Sequence, residues 1–86
     1  MRLALRGTSL SERAVVRGLL AAERELATRG ITLSRLAALA AGKAADPAAE
    51  DAAQNALGAA LRCAYGDAAP EPGAQLVLVV AAGEAG

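Results

Sequence analysis

The chain has 86 residues, enough for one small domain over 1–86 and too few for two independent cores. Apolar residues make up 55% of it, but 25 of those are Ala, the only aromatic side chain is one Tyr, and 9 basic groups balance 9 acidic ones. A core of small and aliphatic side chains makes self-association a serious expectation, and with no His the chain cannot activate a Ser or Cys nucleophile through one of its own.

Met1 to Arg6 alternate, with Leu3 and Leu5 on one side and Arg2, Ala4 and Arg6 on the other, as a half-buried strand does. Gly7 and Thr8 end it. Ser9, with Glu12 three residues on, has capping-box spacing and predicts a helix that runs to about Arg29 and stops at Gly30. At 100° per residue Val15, Val16, Leu19, Leu20, Ala22, Leu26 and Ala27 share one broad face, with Glu23 at its rim. Glu25 is placed to pair with Arg29 one turn later. Thr32 caps a short second helix, Leu33 to Ala41, closed by Gly42. Asp46 as N-cap and Pro47 at N1 open a third helix that ends at about Tyr65. Its expected packing side is Ala53, Leu57, Ala60, Leu61 and Ala64, with Cys63 beside them as a buried thiol and Tyr65 covering the core's end. Glycines 18 and 58 lie inside helices, where close packing against a neighbour is their expected use. Pro70 and Pro72 exclude a helix or central strand in the next loop, and Gln75 to Ala81 reads as a strand apolar on both faces.

The order strand, helix, helix, helix, strand defines an α+β fold, mainly α, whose short N- and C-terminal strands pair with each other. Two strands make a poor sheet alone, so the open edge at Leu76, Val77, Leu78, Val79 and Val80 is the expected oligomer interface. Val16, Leu19, Leu20 and Leu26 form a second candidate contact face.

Charge is unevenly distributed. Residues 1–43 carry eight basic groups against three acidic, a net of +5, whereas residues 44–86 carry one against six, a net of −5. Arg13, Arg17 and Arg24 fall within about 40° of one another on the helical wheel and form a basic stripe. With Arg2 and Arg6 they are the expected contacts for nucleic-acid phosphate or an acidic partner. Two DNA-binding architectures bear comparison. The run Thr32 to Ala40 resembles the first helix of a helix-turn-helix, although the following turn is too long and Glu50 and Asp51 would set carboxylates against phosphate. Gly30-Ile31-Thr32-Leu33-Ser34 resembles the Gly-x-Ser-x-Ser entry to the second helix of ribbon-helix-helix repressors, and the resemblance implies that Arg2, Ala4 and Arg6 face outward to DNA. It covers about the first 40 residues and leaves the third helix and last strand without a counterpart.

A zinc site would have one Cys and only carboxylates to draw on, and no Gly-rich phosphate loop is present, so neither a cofactor nor enzyme chemistry is expected. Cys63 is alone and cannot form an intramolecular disulfide. The longest apolar run, Leu76 to Ala82, is seven residues, against the roughly 20 a membrane-spanning helix needs, and no secretory stretch opens the chain. A cytoplasmic protein without membrane contact is expected, and the excess of Ala, Arg, Leu and Gly suits a GC-rich bacterial or phage genome. The composite expectation is a non-catalytic interaction or assembly protein, homo-oligomeric, whose partner is itself or another protein. The alternative is a small DNA-binding transcriptional regulator, ribbon-helix-helix-like or winged-helix-like, using the basic N-terminal half.

Overall fold

In the computed structural model, which describes residues 1–43 and 45–79, the elements follow in the expected order. They are β1 (Arg2–Arg6), α1 (Glu12–Thr28), α2 (Leu33–Ala40), α3 (Pro47–Tyr65) and β2 (Gln75–Val79). The fold is α+β and mainly α, with β1 and β2 forming a two-stranded antiparallel sheet. In its register Arg2 faces Val79, Leu3 faces Leu78, Ala4 faces Val77, Leu5 faces Leu76 and Arg6 faces Gln75. Side chains alternate along a strand, so the four leucines share one face and Ala4, Val77 and Val79 share the other with both arginines. Leu3 is buried in the same core cluster as Leu26 and Ala56, with Leu76 and Leu78 packed against it, and this places the leucine face on the helices. The expected end of β2, at Val80 and Ala81, lies outside the described residues.

Local signals set the helix ends. Thr32 Oγ1 accepts the Arg35 N–H at 3.2 Å, and Asp46 Oδ1 accepts the Ala49 N–H at 3.2 Å. Helix α1 closes in a Schellman arrangement, with the Ile31 N–H reaching the Leu26 carbonyl at 3.0 Å while both side chains enter the core. Its start differs from expectation. Ser11, not Ser9, is the N-cap, accepting the Ala14 N–H at 3.2 Å. Ser9 is held instead by a residue 62 positions away: the Glu71 carboxylate accepts its backbone N–H at 3.0 and 3.2 Å and also its hydroxyl. A long-range contact therefore engages the serine that has capping-box spacing and leaves Ser11 as the cap. Next to it the sheet ends tightly, because Gly7 has φ +75° and a Cβ there would collide with the Gly73 carbonyl oxygen.

Helices α1 and α3 are antiparallel, since Gly18 meets Ala60 and Ala64 while Arg29 bonds Asp51 near the other end. Apart from Leu26, their shared seam consists of small residues. From α1 come Ala14, Gly18, Ala22 and Leu26, and from α3 Ala49, Ala52, Ala56, Ala59, Ala60 and Ala64, all buried. A Cβ on Gly18 would stand 2.8 Å from the Ala60 carbonyl oxygen, so at this point the backbones themselves approach. Gly58 has no such neighbour, the nearest atom to a Cβ there being the Arg62 side chain at 3.6 Å.

The seam corrects two expected packing faces. On α3, Ala60 and Ala64 face inward as expected, but Ala53, Leu57 and Leu61 are only half-buried and the alanine stripe takes the centre. On α1, Val16 and Leu20 lie opposite the seam, 48% and 56% exposed, while Leu26 is 3% exposed and is a core residue, not a contact surface. Both errors have one cause. These helices are apolar around much of their circumference, and close approach of two backbones selects the arc with the smallest side chains, not the largest.

Candidate interaction surfaces

Beside β2 the core is not closed. A groove of about 310 Å³ runs between β2, α2 and the flank of α3, walled by Leu3, Leu36, Leu39, Leu57, Leu76 and Leu78 and reaching Leu26 and Ala56 at its base. Among the described residues Gln54 is its one polar lining residue and no charged side chain borders it. Val77, on the opposite face of the sheet, also borders the groove, which places its mouth at the free edge of β2. Helix α2 contributes Leu36 and Leu39 without burying any residue of its own. No large side chain among the described residues is completely sequestered, and Leu33, Leu36, Leu39, Leu76 and Leu78 stay half-buried against the core.

Of the expected interface residues, Leu76, Val77, Leu78 and Val79 are half-buried on a strand with one free edge, and Val80 lies outside the described residues. The signal that could have found the rest of the groove is the Leu33, Leu36, Leu39 spacing of α2, a short helix with a leucine ridge but no buried residue.

The five candidate arginines divide between two elements. Arg2 and Arg6 flank Ala4 on the outward face of β1, and Arg13, Arg17 and Arg24 lie on α1 beside Leu20, on a flank outside the buried seam. All five are exposed, and among the described residues none makes an ion pair. Arg17, Leu20, Ala21 and Arg24 also edge a shallow depression against Cys63 of α3, which is exposed; the expected buried thiol is corrected, because the two helices leave this depression open beside it. The paired cations are elsewhere. Arg29 bonds Glu25 at 3.0 Å, as the spacing predicted, and reaches Asp51 on α3 at 2.9 Å. Arg35 on α2 bonds Asp46 at 2.7 and 3.0 Å, tying α2 to the cap of α3. The Arg35 guanidinium and then the Ala49 N–H hold the Asp46 carboxyl below its ordinary value. Tyr65 is half-buried, with a buried hydroxyl that has no hydrogen-bond partner among the described residues.

Among the described residues no three His, Cys, Asp or Glu side chains are grouped as metal ligands would be, and no helix is long and apolar enough to cross a membrane. What the fold defines is a small α+β domain with one closed and one open side to its core. Comparison with protein families, curated proteins and solved structures gives no match, so function has to be read from this chain's own surfaces.

Proposed function

We propose that this protein is a non-catalytic interaction module that acts by associating with further copies of itself or with another protein, in a bacterial or phage cytoplasm. The observation that supports it is the uncharged groove leading to Leu26 and Ala56. Apolar surface left beside a core gains about 25 cal/mol for each Å² removed from water, so a complementary apolar surface is its natural occupant. The absence of His anywhere in the chain adds to the non-catalytic reading. Sedimentation velocity over a concentration series tests it: a shift to dimer or larger by tens of micromolar supports self-association, and a constant monomer value argues against it.

A second reading draws on a different observation. Arg13, Arg17 and Arg24 are exposed along one flank of α1 and make no ion pair among the described residues, an arrangement suited to phosphate or to a carboxylate-rich partner. Under this reading the chain is a small DNA-binding regulator, with Arg2 and Arg6 as further contacts. Retardation of duplex DNA that persists at about 150 mM salt supports it, and loss of binding between low and moderate salt reduces it to non-specific attraction.

A further inference from the structure

We infer that the free edge of β2 and the groove beneath it receive β2 of a second copy of this chain, antiparallel about a two-fold axis at Val77. The inference rests on the self-association reading and specifies its geometry.

Three faces of the molecule could be paired with their own equivalents. Joining β1 to β1 antiparallel about Ala4 would set Arg2 directly opposite Arg6 of the other copy, and like charges across a ladder are destabilising. Joining α1 to α1 through Val16 and Leu20 would draw Arg13, Arg17 and Arg24 of both copies, none of which has an ion-pair partner among the described residues, into the interface at a cost in desolvation. The edge of β2 meets neither obstacle. Its five residues, Gln75 to Val79, include no charge, no Pro and no Gly, so among the described residues it lacks the side-chain devices that keep an edge strand from pairing.

Edge and groove are contiguous, and this selects a strand as occupant. An added strand satisfies the edge's backbone donors and acceptors while its alternate side chains enter the apolar space below. Each copy already carries such a strand. Centring the axis on Val77 keeps all five described strand residues paired: Val77 faces itself, Leu76 faces Leu78 and Gln75 faces Val79. Parity then keeps every leucine on the helix side, so Leu76 and Leu78 of each copy cover the groove walled by Leu36, Leu39 and Leu57 of the other. The poor two-stranded sheet becomes four-stranded, in the order β1-β2-β2-β1.

Cross-linking and sedimentation on the full chain, with Cys63→Ser as background, test this. Val77→Cys should give a covalent dimer with a short bis-maleimide, and Leu20→Cys on the outer face of α1 should not. Val77→Lys, which sets two ammonium groups against each other, should abolish the dimer in sedimentation equilibrium, whereas Val16→Lys should leave it intact. A dimer that cross-links through Leu20→Cys and not through Val77→Cys overturns this geometry while self-association stands. A strict monomer at tens of micromolar overturns both.

Discussion

Along the α1–α3 seam the residues are Ala and Gly apart from Leu26 and the helices meet almost backbone to backbone; beside β2 they are mostly Leu, and the walls stand apart around a groove of about 310 Å³. By side-chain hydrophobicity the second region should be the tighter. It is the looser because closure depends on whether two surfaces fit at contact distance, and small residues on two long antiparallel helices fit without needing specific rotamers. The larger residues are spread over a short helix and a two-stranded sheet, which cannot surround them. Strong closure on one side and an open face on the other suit a domain completed by a partner.

Substitutions can break or sharpen this contrast. Leu26→Ala removes a side chain that is 3% exposed at the base of the groove and should cost about 3 kcal/mol in urea unfolding. Ala60→Leu, on the seam where Ala60 is fully buried, should cost about 2 kcal/mol by overpacking. Ala53→Leu lies on the groove wall of the same helix, and there the added volume should be absorbed, with a change under about 1 kcal/mol in either direction. Should thermal unfolding show Ala53→Leu as damaging as Ala60→Leu, the groove is closed in solution and the contrast is lost.

A pH series probes the tie between the two regions. The carboxyl of Asp46 is held below its ordinary value of 3.8, so its contribution to stability is complete above that value and disappears as pH falls through the lower, folded one. Asp46→Asn keeps a capping oxygen but cannot ionise. The stability advantage of the wild type over this variant should therefore shrink on acidification below about pH 4, as followed by helical circular dichroism. The smallest effect is expected at Leu20→Lys, within about 0.5 kcal/mol, because that side chain is 56% exposed and away from the seam.

Most of the element order could be read from local chemistry. Thr32, Asp46 with Pro47, and glycines 30, 42 and 66 mark boundaries through interactions spanning a few residues, and the structure agrees to within one or two positions. The same holds for the Glu25–Arg29 pair. The capping-box spacing points to Ser9 over Ser11 and is wrong, because Ser9 is held by Glu71, a contact no local pattern foretells. The positions of Val16, Leu20, Leu57 and Cys63 were equally illegible, since an apolar arc on a helix does not state which part of it meets a neighbour.

The amino-acid order by itself determined three helices between two strands, most of their limits, and a charge division of +5 against −5, because caps, breakers and periodicity act over a turn or two of chain. The tertiary structure alone decided which stripe of each helix is buried, which arginines stay unpaired and where the core stays open. Those outcomes depend on how near two distant backbones can come, and in this chain that distance is set by Gly18 against Ala60.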